Sequence, residues 1–123
     1  MTLTVLTVDD SRTMRDLLKA ALADAGFAVL QAEDGVHGLE VLQAQDRLPD
    51  VIVTDINMPR MDGFGLIEAV RGHERWSNVP VLVLSTEFSD EKKQRARSAG
   101  ATGWIVKPFH PDKLAAAIRR VLH

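Results

Sequence analysis

Three aspartates stand where short apolar runs end. "TVLTVDD" closes on Asp9 and Asp10, and "VIVTD" closes on Asp55. Two other polar residues end apolar runs in the same way: Ser85 after "VLVL" and Lys107 after "WIV". If the runs are neighbouring strands, three carboxylates, a hydroxyl and an ammonium share one shallow site. Two like charges about 4 Å apart, at an effective dielectric near 20, oppose each other by ~4 kcal/mol. Either one carboxylate holds a proton or a cation neutralises the group. Oxygen donors without His or Cys favour a hard cation, Mg2+ or Mn2+. Mg2+ held by one or two carboxylates keeps waters and reaches for phosphate oxygens. Lys107 adds a second positive charge, so a phosphoryl group there is neutralised on two sides. An aspartate in that position can attack phosphorus and become an aspartyl-phosphate.

Taken singly, these residues say little. An Asp after a strand is usually a turn residue or helix N-cap. A strand-end Ser commonly satisfies a backbone group. A Lys before Pro is most often simply exposed. The joint pattern is what points to chemistry, and it depends on the elements that position it. The apolar runs are Leu3–Val8, Ala28–Ala32, Val51–Asp55, Val81–Ser85 and Trp104–Val106. Helical periodicity lies between them. Met14, Leu17, Leu18, Ala21, Leu22 and Ala25 fall on one face, and Gly26 ends that helix. A second helix over about Val36–Ala44 buries Val36, Leu39 and Leu42. A third, about Phe64–Arg71, buries Phe64, Ile67 and Val70. The last opens near Pro111 and buries Leu114, Ile118, Val121 and Leu122. The helix over Asp90–Ala99 has only Ala96 and Ala99 to bury and is weakly anchored. It reads as a solvated surface helix, or as an element that shifts cheaply. Alternating strands and helices imply an α/β fold with a parallel sheet covered on both faces. In such sheets ligands bind beyond the carboxyl ends of the strands, where all five polar residues fall.

Composition narrows the classes. With 123 residues, the chain fits one domain over residues 1–123. It is 46% apolar and 26% charged, with net charge −2, which argues against a general nucleic-acid binder. There is no Cys, so thiol nucleophiles, disulfides and Cys-zinc sites are excluded, and the four His show no ligand spacing. No apolar run approaches the ~20 residues of a membrane span. The N-terminus enters "LTVLTV" without a basic leader, and a cytoplasmic location is expected.

The motifs "VDDSRTMR", "DINMPRMDG", "LSTE" and "KPF" together resemble the receiver domain of two-component response regulators, most closely the single-domain CheY-like chemotaxis type. The match covers essentially the whole chain. The resemblance implies a doubly wound, flavodoxin-like sheet of order 2-1-3-4-5 with five helices. It implies that Asp55 is the phosphoacceptor, and that Asp10, Asp55 and the Asn57 backbone carbonyl bind Mg2+ while Asp9 orients it through water. Lys107 would contact the phosphoryl group, Ser85 would be the switch hydroxyl, and the Thr86 N–H would reach a phosphoryl oxygen. Lys107–Pro108 is expected to be cis, and Gly63 to serve a tight turn. Trp104 stands where the family carries a switch Tyr or Phe, and its larger ring is expected to disfavour the inward state. Asn57 and Glu87 would tune dephosphorylation, with a phosphoryl lifetime of seconds to minutes.

Output is expected to be binding. Lys92, Lys93, Arg95 and Arg97 on one helix, with Lys113, Arg119 and Arg120 on the last, form a basic patch around Trp104 or simply solvate those helices. As a docking face, the patch suits an acidic helix or peptide. The resemblance implies a chemotaxis histidine kinase upstream and a flagellar motor switch protein as target, with no nucleic acid or membrane partner. A phosphorelay intermediate or phosphate sink is the nearest alternative. A Mg2+-dependent phosphohydrolase would need an acid where Asn57 stands, and a cap. An FMN carrier would not place two carboxylates after its first strand.

Overall fold

The computed structural model describes residues 2–122. Among them the chain alternates β1 (Thr4–Val8), α1 (Arg12–Asp24), β2 (Ala28–Ala32), α2 (Gly35–Ala44), β3 (Val51–Thr54), α3 (Gly63–Gly72), β4 (Val81–Ser85), α4 (Asp90–Ala99), β5 (Gly103–Val106) and α5 (Pro111–Val121). The strands form one sheet in the order β2-β1-β3-β4-β5. Every neighbouring pair is parallel. This is the doubly wound α/β architecture expected from the sequence. Among the described residues, no helix is long and apolar enough to cross a membrane.

Burial explains the composition of the strands. β3 and β4 are buried at every position, and β1 at all but its first. A strand covered on both faces reads as a continuous apolar run. Alternate residues then serve opposite cores. Leu6, Val8, Ile52, Val81 and Val83 pack with Leu42, Leu66, Ile67, Val70 and Ala96 from α2, α3 and α4. Val5, Val51, Val53, Leu82 and Leu84 pack with Leu18, Leu22, Leu114 and Ile118 from α1 and α5. The edge strands β2 and β5 are only partly covered.

Side-chain caps set the helix starts. Ser11, Asp34, Asp62, Ser89 and His110 each accept a backbone N–H from the first turn of α1 to α5 in turn. Three expectations need correction, the first being Val121 and Leu122 at the end of α5, which are only half-buried. Leu17 sits on the predicted apolar face of α1 yet is 53% exposed, because the sheet is reached by the neighbouring Leu18 and Leu22. Val36 and Leu39 are half-buried, and α2 closes on the sheet through Gly35, Gly38 and Leu42.

α4 buries Ala96 alone. Ala99 packs, partly buried, against the same core, and other ties run to α3. The Arg95 guanidinium lies 4.0 Å above the Phe64 ring of α3. At its end Gly100 takes a left-handed φ of 114°. There Arg71, at the end of α3, donates to the carbonyls of Gly100 (2.9 Å), Ser77 (3.1 Å) and Val79 (2.6 Å). Burial pulls the Arg71 guanidinium below its ordinary pKa.

Candidate functional site

Parallel pairing places Val8 opposite Thr54, so Asp9 and Asp55 leave the sheet side by side. The Asp55 N–H donates to the Val8 carbonyl at 2.9 Å, and the Asp9 N–H to the Ala32 carbonyl at 3.1 Å. One carboxylate oxygen each from Asp9, Asp10 and Asp55 lie within 4.8 Å of one another. Asp9 is 1% exposed, Asp55 half-buried and Asp10 open to solvent. Lys107 follows β5, and its peptide bond to Pro108 is cis. Its ammonium donates to Asp9 Oδ2 at 2.8 Å and Asp55 Oδ2 at 2.9 Å. The second oxygens are also engaged. Asp9 Oδ1 accepts the Ser11 N–H at 2.9 Å, and Asp55 Oδ1 accepts the Ile56 N–H at 2.7 Å.

Burial pushes the Lys107 ammonium toward losing its proton, but its hydrogen bonds to Asp9 and Asp55 outweigh that and hold its pKa above the ordinary value. Lys107 is therefore a fixed positive charge. Three carboxylates against one ammonium leave two negative charges uncompensated. An all-oxygen set with that deficit, open on the Asp10 side, can hold a metal ion and suits a hard divalent cation. Asn57 lies two residues beyond Asp55, exposed on the same loop.

The end of β4 joins this site to the surface. Ser85 is fully buried and Thr86 exposed. The Lys107 N–H donates to the Ser85 carbonyl at 2.8 Å. Ser85 Oγ accepts the Glu87 N–H at 3.2 Å. The Glu87 carbonyl in turn accepts Trp104 Nε1–H at 2.9 Å. The Glu87 carboxylate pairs with Lys92 at 3.0 Å. Trp104 is half-buried on β5 and packs against the core beneath α4. Its indole N–H anchors the ring to the loop that starts at Ser85.

The basic patch is narrower than expected. Lys93 and Arg97 line a groove of about 90 Å³ with Trp104, and Lys113 is exposed on α5. Lys92 is committed to Glu87. Arg95 turns toward α3, over Phe64. Arg119 turns toward α1, donating to the Ala25 carbonyl at 2.9 Å and lying 5.1 Å from the Phe27 ring. Arg95 and Arg119 satisfy themselves on neighbouring helices, so neither centres on Trp104.

Gly63 also differs from expectation. It has no positive φ and is the first residue of α3. Its reason is space: a Cβ would collide with the Asp55 carbonyl and with Ile56. The Gly63 N–H donates to the Ile56 carbonyl at 2.8 Å, which closes the loop directly behind Asp55.

Sequence reasoning missed three supporting residues. The Arg15 guanidinium donates to the Asp9 carbonyl at 2.8 Å. Arg60 forks onto Asp34, with Nε to Oδ2 at 2.8 Å and the second nitrogen to Oδ1 at 3.1 Å. That fork holds the Asp34 carboxyl below its ordinary pKa, against the opposing effect of burial. "DG" before a helical run signals the Asp34 cap, but nothing local signals its partner 26 residues on.

Comparison with known proteins is consistent with this geometry. Residues 5–119 match the family model described as the response regulator receiver domain. The chemotaxis protein CheY1 of Helicobacter pylori is 40% identical over 119 residues, covering 96% of this chain and 95% of CheY1. The sensor histidine kinase CheAY of the same organism is 34% identical over 94% of this chain, which spans only 14% of that kinase. The solved structure of the chemotaxis response regulator CheY4 of Vibrio cholerae superposes with a TM-score of 0.91 at 44% identity, covering 99% of this chain and 100% of the other. A family model spanning nearly the whole chain, and relatives matched over almost their full length, place this chain in the response regulator receiver domain family.

Proposed function

We propose that this chain is a chemotaxis response regulator in which Asp55 accepts a phosphoryl group from the phosphohistidine of a sensor kinase. The family is a signalling switch rather than a classical enzyme. The observation that carries the reading is the Lys107 ammonium shared by Asp9 and Asp55 inside a three-carboxylate cluster. Asp10, Asp55 and the Asn57 carbonyl are the residues that would hold Mg2+, or Mn2+, with Asp9 behind them. When bound, the ion supplies charge neutralisation at the phosphoryl oxygens.

The chain's own residues do the rest. An Asp55 carboxylate oxygen, released from its hydrogen-bond partner, attacks phosphorus, an O–P bond forms, and the P–N bond of the phosphohistidine breaks with its electron pair returning to the imidazole. Lys107 gives up Asp55 Oδ2 and pairs with a phosphoryl oxygen. The Thr86 N–H and Ser85 Oγ turn toward the other oxygens. Ser85 Oγ has its O–H to donate to a phosphoryl oxygen while it accepts the Glu87 N–H, so a shift of the hydroxyl pulls on the loop that anchors Trp104. A phosphoryl group carries about −2 charge and three acceptor oxygens. It favours one state only through contacts that differ between states, and the Ser85–Glu87–Trp104 chain supplies such a difference.

The output partner is an acidic segment laid along Lys93, Arg97, Trp104 and Lys113, on a flagellar motor switch protein. The names of the relatives support the chemotaxis role on which this partner rests. The test is incubation with Mg2+ and acetyl phosphate, with intact mass read before and after. One added phosphoryl group on the native chain and none on Asp55→Asn is expected; label retained by Asp55→Asn overturns the assignment. The similarity to a segment of a kinase favours, as a second reading, a phosphorelay intermediate or phosphate sink. Back-transfer from labelled chain to a histidine phosphotransfer domain separates the two.

A further inference from the structure

The loop from Asp55 to Asp62 carries two of the groups assigned above to the cation, and its far half is fastened in a strained way. Arg60 has φ 64°, a region that residues other than Gly rarely adopt. The Met61 N–H donates back to the Pro59 carbonyl at 2.7 Å, which closes a three-residue γ-turn with Arg60 at its centre. Such strain persists only where the surroundings over-determine it, and it gathers at functional sites.

The surroundings here are the β2–α2 connection. The Arg60 guanidinium makes a two-pronged bond to Asp34, which is only 2% exposed. Asp34 Oδ1 also accepts the His37 N–H at 2.9 Å and so caps α2. The Gly35 N–H donates to the Met61 carbonyl at 3.1 Å. A Cβ on Gly35 would stand 2.6 Å from Met61 Cγ and 2.7 Å from its carbonyl oxygen, so the two loops meet backbone to backbone. The end of β2 just before this connection reaches the other acidic loop, because the Ala32 carbonyl accepts the Asp9 N–H. The stretch from the last residue of β2 to the first of α2 therefore contacts both carboxylate-bearing loops, on the side of the sheet away from β5 and Lys107.

We propose that the Arg60–Asp34 ion pair is a positioning device for the cation site. It holds the Asp55–Asp62 loop in its strained turn so that Asp55 and the Asn57 carbonyl are presented together to the ion. Arg60 and Asp34 are positioning residues that act through the loop. This rests on the reading of Asp10, Asp55 and Asn57 as cation ligands. Outer partners of metal ligands typically contribute about 10- to 100-fold to metal affinity. The pair stands one step further out, so the lower end, about tenfold, is expected.

The experiment is calorimetric titration with MgCl2 of native chain, Asp10→Asn, Arg60→Ala, Arg60→Lys, Asp34→Asn and the double variant Arg60→Ala/Asp34→Asn. Backbone amide exchange over residues 57–61 is followed without Mg2+. Asp34→Asn keeps a cap oxygen for α2 and removes the charge pair, so it tests the pair in a folded chain. Arg60→Ala and Asp34→Asn should each weaken Mg2+ binding about tenfold, and the double variant no further than either alone. Arg60→Lys should recover part of the loss, and amides 57–61 should exchange faster in the weakened variants. Native affinity in Asp34→Asn and Arg60→Ala overturns the proposal, even if both lose thermal stability. Failure of the underlying reading looks different: the native chain and Asp10→Asn would then respond to Mg2+ alike.

Discussion

Lys107→Ala pulls apart three effects that the site combines. The ammonium sits 2.8 Å from Asp9 Oδ2 and 2.9 Å from Asp55 Oδ2, with its side chain 10% exposed. A hydrogen bond to a charged group contributes about 1.5–3 kcal/mol net. A cation that takes Asp55 Oδ2 must displace at least one such bond. Lys107 therefore opposes metal binding by about 1.5–3 kcal/mol, or roughly 10- to 100-fold in affinity. Lys107→Ala should tighten the Mg2+ dissociation constant by about that factor. The same change removes a positive charge from the phosphoryl oxygens, and loss of one such preorganised group costs ~10²–10³ in rate. The variant should bind metal more tightly and label more slowly. Without metal it should also be less stable, because Asp9, 1% exposed, keeps only the Ser11 N–H as partner. Breaking a buried pair costs about 3–5 kcal/mol, of which Mg2+ at 100 times its dissociation constant returns ~2.7 kcal/mol. The raised Lys107 pKa means its contribution is fully present below 10.5 and is lost only as pH rises through the folded value, so neutral pH is the right condition. Calorimetric Mg2+ titration, acetyl phosphate labelling and urea melts with and without Mg2+ measure the three effects. Weaker Mg2+ binding in Lys107→Ala would refute the competition between ammonium and metal.

Other expectations follow from the same geometry. Gly63→Ala puts a methyl against the Asp55 carbonyl and Ile56, and should cost about 1–3 kcal/mol in urea denaturation while slowing acetyl phosphate labelling; a neutral outcome would mean that the loop yields freely. The Asp34 carboxyl is depressed by its Arg60 hydrogen bond, so its contribution is present above its ordinary 3.8 and lost as pH falls through the lower folded value. The stability gap between native chain and Arg60→Ala, read from melting temperatures, should accordingly be open at neutral pH and close in acid. Lys93→Glu with Arg97→Glu should weaken binding to an acidic target peptide by ~10-fold or more without changing the rate of Asp55 phosphorylation. Arg119→Glu should leave that affinity unchanged and lower thermal stability, since Arg119 serves the contact between α1 and α5.

Sheet order and site were legible to different depths. The alternation of β-type runs and helical periods restricts the fold to a few topologies. Polar residues at run ends mark the carboxyl edge, and for Asp9, Asp55 and Lys107 that marking coincides with direct hydrogen bonds. Side-chain direction on the helices was not legible. Arg95 and Arg119 look like Lys93 and Arg97 as letters, yet their aromatic neighbours, Phe64 and Phe27, draw them away from Trp104. Gly63 reads as a turn because glycine suits both positive φ and close approach, and only the Asp55 carbonyl beside it decides between them. Arg60 was illegible for a third reason. A left-handed arginine has no local signature, and its partner lies in another loop.

The three carbonyls gripped by Arg71 give α4 a fulcrum. Its trailing end is pinned at Gly100, while its leading end rests on an exposed Ser89. Ten residues of helix make an arm of about 15 Å, so a tilt of about 10° sweeps the leading end through ~2.6 Å and the pinned end hardly at all. Rearrangement should therefore be graded along the helix, largest beside Glu87 and smallest beside Thr102, with the span between acting as a stiff pointer.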